Sequence, residues 1–171
     1  MSVRICAVAS ASEASQFNPA VYQGGARALQ ALRVTVGDAY KNRGEMMAAR
    51  RVFQRAVDEA APHIAADDLL LLTARVRASD IHLIVSTAAS EQLDRAIAIL
   101  RNKSQRDTAA AELLLDALLN RNELQFNFGV PDHALPERRF DVIQEANELA
   151  LRQFGEGSRQ QLRAVRLLAD W

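Results

Sequence analysis

The stretch that decides the fold runs from Arg33 to Pro62, RVTVGDAYKNRGEMMAARRVFQRAVDEAAP. Gly37, Tyr40 and Gly44 stand on one side of a reversal, and Ala49, Phe53 and Ala56 follow it at four- and three-residue steps. That is the spacing of side chains sharing one helical face, so the stretch reads as two helices joined by a tight turn. Gly37, Ala49 and Ala56 are small enough to let the helices approach closely. Tyr40 and Phe53 fill the space between them, and Gly44 permits the reversal.

Working outward, the first helix is expected over 26–42, with Leu29, Leu32, Val36 and Tyr40 recurring at helical spacing. The second is expected over 45–60, with Met46, Ala49, Phe53, Ala56 and Val57 facing inward, and Pro62 stops it. A further pair follows over 67–85 and 90–101, with Asp67-Asp68 and Ser90-Glu91 as cap chemistry. Asp107 opens another helix that reaches about 121 or 123. An irregular apolar insertion over 126–136 precedes a helix over 137–154. Gly155 and Gly157 break the chain again before a final helix over 158–171. Residues 1–25 are expected to form a loosely ordered leader, and 26–171 the helical domain. The short apolar run over 5–11, with Arg4 before it, faintly resembles an export signal but is interrupted by Ser10.

The pattern repeats. Phe53-Gln54-Arg55-Ala56-Val57, Leu93-Asp94-Arg95-Ala96-Ile97 and Ile143-Gln144-Glu145-Ala146-Asn147 align and place an inward alanine at 56, 96 and 146. Gly37-Asp38-Ala39, Ser79-Asp80-Ile81, Leu115-Asp116-Ala117 and Ala169-Asp170-Trp171 align likewise, at spacings of 42, 36 and 54 residues, the last lengthened by the insertion. With Gly37, Tyr40, Gly44, Ala49, Phe53 and Ala56 at their observed spacing, the chain resembles the tetratricopeptide repeat, a helix-turn-helix unit of about 34 residues. Arg33 stands where the family often has Trp, and Pro62 falls one residue late. The long spacing and Ala150-Leu151-Arg152-Gln153-Phe154-Gly155 are similar to the kinesin-light-chain variety. The resemblance implies an all-α fold: antiparallel helix pairs stacked as a short right-handed superhelix of about three degenerate repeats plus a C-terminal helix.

Composition agrees with packed helices. Hydrophobic residues make up 49% and aromatics 5% of 171 residues, and the 21 Lys plus Arg balance the 21 Asp plus Glu. A neutral total gives no overall attraction to nucleic acid or anionic lipid. Arg50-Arg51 and Arg138-Arg139 lack the interleaved aromatics of a nucleic-acid stripe. No stretch approaches the roughly 20 apolar residues of a membrane span. One cysteine, Cys6, excludes an intrachain disulfide framework and leans the reading to the cytoplasm, with export as the alternative.

Reactive constellations are missing from the pattern. His63, His82 and His133 are far apart, with no second His or Cys at helical spacing, so neither a zinc site nor any cofactor is expected. Gly155-Glu156-Gly157 lacks the third glycine and the preceding strand of a dinucleotide fingerprint. Cys6 has no base nearby, and the adjacent pairs Asp58-Glu59 and Asp67-Asp68 diverge on a helix. The expectation is a chain without catalytic or metal-binding residues.

The resemblance implies a scaffold that binds a protein or peptide in a concave helical groove. The other reading is a sensory or regulatory C-terminal region of a larger bacterial Ser/Thr kinase or transcriptional regulator. In such arrays the residue after the Gly37-type position lines the groove, which here means Asp38, Asp80, Asp116 and Asp170. The groove set is Asp38, Lys41, Asn42, Asp80, Leu83, Asp116 and Asn120. The family's Lys and Asn clamp for a terminal carboxylate is absent, since Val34 and Asp38 stand at those positions. If the aspartates are bare, they favour Lys- or Arg-bearing segments. If arginines of adjoining helices, such as Arg75, Arg77 or Arg163, satisfy them, that ladder is closed. The last helix carries Arg159, Gln160, Arg163 and Arg166 as a polar outer face that caps the stack; otherwise it exposes Leu162, Val165, Leu168 and Trp171, which would support self-association.

Overall fold

A computed structural model describes residues 19–80, 87–128 and 139–169, and among these the elements are seven α-helices. They are α1 (Pro19–Asn42), α2 (Met46–Ala60), α3 (Leu69–Ser79), α4 (Thr87–Lys103), α5 (Thr108–Phe128), α6 (Arg139–Phe154) and α7 (Arg159–Ala169). Each packs on its sequence neighbour, and α3 also touches both α1 and α5. Packing of each helix on its sequence neighbour is the arrangement that short connections favour.

The turn after α1 has the chemistry its sequence implies. Gly44 adopts φ 78°, its N–H donates to the Lys41 carbonyl at 2.9 Å, and the Glu45 N–H donates to the Tyr40 carbonyl at 2.9 Å. These two bonds close the helix end, and the left-handed residue between them favours glycine. Beyond the turn, the Phe53 ring fills the notch left by Gly37. A methyl built on Gly37 would stand 2.7 Å from both Cδ1 and Cζ of that ring.

Two apolar clusters form the core. One gathers Val34, Ala49, Phe53, Ala56, Val57, Leu71 and Ala74 from α1 to α3. The other runs from Leu72 and Val76 through α4, α5 and α6 to Ala164 of α7. Adjacent residues of α3, Leu71 and Leu72, thus point into different clusters, and α3 is a shared wall. Ala56, Ala96 and Ala146 are all fully buried, as the aligned repeats require. Helix α5 is enclosed on nearly all sides, with Leu113 to Leu115 and Ala117 to Asn122 buried. Near-uniform burial explains why its apolar residues show no single face.

Several boundaries differ from the sequence expectation. Helix α1 starts at Pro19, seven residues before Ala26, and passes through Gly24-Gly25. Proline suits a first helical turn, and packing on α2 and α3 offsets the roughly 1 kcal/mol each interior glycine costs. Helix α4 starts at Thr87, so Ser90 lies within it and does not cap it. Helix α5 continues to Phe128, past the expected end near 121 or 123, and takes in the first residues of the 126–136 insertion; 129–136 lie outside the described residues, as does the expected extension of α3 over 81–85. Asp68 and Asp107 do cap their helices, accepting 2.9 Å bonds from the N–H groups of Leu70 and Ala109.

Burial also corrects the facing of some side chains. Met46, expected inward, is 36% exposed at the start of α2. On α1 the inner face carries Gln30, Val34 and Gly37, and the Leu29, Leu32 and Val36 stripe lies outward, with Leu32 60% exposed. On α7, Leu162 is 57% exposed and Val165 also faces solvent, whereas Gln160 and Arg163 turn toward α5. Arg159, Arg163 and Arg166 are exposed along the groove, and the exposure of Leu162 and Val165 is that of the second alternative, with Leu168 half-buried; Trp171 lies outside the described residues.

Candidate functional site

Charged residues bridge the C-terminal ends of α1 and α3, the middle of α5 and the first half of α7. The Lys41 ammonium of α1 pairs with the Asp80 carboxylate at the end of α3. Arg77, one turn earlier, lies between two carboxylates: its Nε is 3.6 Å from Asp38 Oδ1 of α1, and its Nη1 is 3.6 Å from Asp116 Oδ2 of α5. Arg163 of α7 completes the chain, donating from Nη1 to Asp116 Oδ1 at 2.9 Å. Asn120, a turn after Asp116, donates from Nδ2 to the Val76 carbonyl at 3.3 Å.

These groups line an open cavity of about 470 Å³. Lys41, Arg77, Asp80, Asp116 and Asn120 surround it, with Leu119 and Leu167 as apolar floor and Glu123 and Arg166 at the edge. A smaller one of about 250 Å³ adjoins it along α5 and α7, sharing Asp116 and Arg163 and adding Glu112, Leu115, Arg159 and Gln160. Gln160 closes that end by donating to Glu112 at 3.2 Å. The two together form a groove along the α5–α7 seam.

The expected groove residues are thus largely brought together. Lys41, Asp80, Asp116 and Asn120 line the cavity, and Asp38 joins through Arg77. Asn42 is exposed at the end of α1 and does not line it, while Leu83 and Asp170 lie outside the described residues. Of the two alternatives for the aspartates, the geometry presents the closed one: Asp38, Asp80 and Asp116 each face a cation of the chain itself. Arg77, named only as a neutralising partner, is the hub of this network. Leu119 and Glu123 escaped the sequence reading although they stand three and seven residues after Asp116, the spacing that would have flagged them. Leu167 belongs to neither set of α7 residues that the two alternatives named.

A separate cavity of about 480 Å³ lies between α4, α5 and α6. Arg101 spans it with a two-pronged pair to Glu145, at 2.8 Å from Nε and 2.6 Å from Nη2. That fastens α4 to α6 and pairs the charges of Arg101 and Glu145, with Glu148 and Arg152 also lining the cavity. Among the described residues no three His, Cys, Asp or Glu side chains gather as a metal-ligand group. No described helix is long and apolar enough to cross a membrane. Compared with protein-family models, curated proteins and solved structures, the chain matches none.

Proposed function

We propose that the chain is a non-catalytic scaffold of the tetratricopeptide type, binding a protein or peptide in the groove formed by α1, α3, α5 and α7. In this reading the helices are about three degenerate pairs plus a C-terminal helix, wound as a short right-handed superhelix. The observation that carries it is the convergence of side chains from four helices, Lys41 to Leu167 in sequence, on one open cavity. An open, polar-rimmed groove with an apolar floor suits an extended segment, because alternate side chains can reach floor and rim.

The experiment is site-specific photo-crosslinking. A photoreactive residue at Glu123, on the groove rim, is expected to capture a partner from a native lysate, and one at Glu91, exposed on α4, is not. Equal capture at both positions, or capture at Glu91 alone, overturns the groove assignment. The second reading, a regulatory region attached to a kinase or transcriptional regulator, draws on the outward apolar stripe of Leu29, Leu32 and Val36, which an adjoining domain would cover.

A further inference from the structure

Arg159, Arg163 and Arg166 fall at i, i+4 and i+7 on α7, within about 60° of one another around its axis, and line the α5–α7 groove. Among the described residues, the chain's own carboxylates answer only the middle one. Arg163 pairs with Asp116, but Arg159 and Arg166 have no carboxylate partner among the described residues. Meanwhile the groove's acids are occupied: Asp80 by Lys41, Asp116 by Arg77 and Arg163, and Glu112 by Gln160.

Arg159 is also the first residue of α7, whose first turn holds no acidic residue. A cation at a helix N-terminus opposes the helix dipole and gains nothing for the fold. A carboxylate arriving there would meet both the guanidinium and the positive end of the helix.

We infer that the α5–α7 groove takes an acidic peptide segment, with one carboxylate on Arg159, a second on Arg166, and an apolar side chain between them over Leu115 and Leu119. The separation of the two arginines, seven helical residues or about 10 Å, equals about three residues of a polyproline-II-type chain, whose three-residue turn returns residue i+3 to the same side as residue i. A Glu-x-x-Glu or Asp-x-x-Asp segment therefore matches it. The inference rests on the groove reading above and adds the sign of the partner's charge. A nucleic-acid strand fits less well, because the described lining residues include no aromatic platform and the groove's own carboxylates interrupt a continuous line of phosphates.

The test uses fluorescence anisotropy with the full chain and three labelled probes: Ser-Glu-Leu-Ala-Glu-Ser, its lysine counterpart Ser-Lys-Leu-Ala-Lys-Ser, and a six-residue oligothymidine. The glutamate peptide is expected to bind most tightly and to weaken as salt rises. Arg159→Ala with Arg166→Ala should weaken it by roughly tenfold or more while the melting temperature stays put, since neither arginine pairs with a carboxylate among the described residues. Asp116→Asn, which removes the central carboxylate, should tighten it. Equal or tighter binding of the lysine peptide or the oligonucleotide, no binding of the glutamate peptide, or an unchanged affinity in the double variant each overturns the inference. Lysine-peptide binding that Asp116→Asn weakens would reverse the charge and leave the groove standing. No binding by any probe together with loss of crosslinking at Glu123 would remove both.

Discussion

The Phe53 ring of α2 occupies the space that a side chain on Gly37 of α1 would need. Gly37→Ala gains up to about 1 kcal/mol of helix propensity but forces a fully buried ring to move, an overpacking cost of about 1–3 kcal/mol. The clash wins, so the variant is expected to be less stable by about 1–2 kcal/mol. Phe53→Ala, a large-to-small core change, should cost about 3–5 kcal/mol. Because the two residues touch, Gly37→Ala with Phe53→Leu should cost less than the sum of the singles, measured by urea unfolding. Strict additivity would mean that the ring is not seated on Gly37.

Gln30 is wholly buried on the inner face of α1, and neither its Oε1 nor its Nε2 meets a hydrogen-bond partner among the described residues. An unmet amide costs about 1–3 kcal/mol, more than the packing difference of a similarly sized thioether. Gln30→Met is therefore expected to raise stability by about 1 kcal/mol. A lower melting temperature in calorimetry would show that the amide is satisfied in solution.

Arg77 serves two carboxylates and Arg163 shares one of them. Arg77→Met should cost about 1 kcal/mol, since the groups are partly exposed and Asp116 retains Arg163. Adding Arg163→Met strips Asp116 of both cations, so the double variant should lose more than the sum of the singles. The excess should shrink as salt rises. Additive losses at every salt concentration would show that Asp116 does not couple them.

Asp67 lies 3.0 Å from Lys103, whose hydrogen bond first and charge second hold its carboxyl below the ordinary value. Glu59 is lowered in the same way, mainly by its hydrogen bond to Arg55. A carboxyl with a depressed folded pKa contributes its full stability above the unfolded value, about 4. That contribution disappears as pH falls through the lower, folded value. The stability curve should thus slope down only below about pH 4, and Asp67→Asn should flatten part of the slope. A variant whose acid limb overlays the parent's would show the pair to be absent in solution.

Much of this architecture was legible because its signals are local. Gly44 needs a left-handed backbone, Ala56 recurs at 96 and 146 because those positions are fully buried, and Asp68 and Asp107 are cap residues wherever they sit. The facing of α1 and α7 was not legible. Leu29, Leu32 and Val36 have the same spacing whether they point inward or outward, and only the positions of Gly37 and Val34 against Phe53 decide it. The groove aspartates and two of their partners, Arg77 and Arg163, were named from the register, but the choice between bare and neutralised aspartates depends on helices 39 to 47 residues apart, which periodicity cannot decide. Helix α5 hid its role for a different reason: a helix covered all round shows no amphipathic stripe.

The division of the core at α3 has a consequence for how the protein opens. The α1–α2 pair contributes to one cluster and α4 to α7 to the other, so the first pair can detach while the second cluster keeps its packing. Amide exchange should then resolve two cooperative units: slow protons in α5, and faster ones in α1 and α2 that exchange through a partial opening. Lys41 and Asp38 tie the detachable unit to Asp80 and Arg77 across the groove. A ligand lying across that seam would act as a clasp and slow exchange in α1 and α2 well beyond the residues it touches.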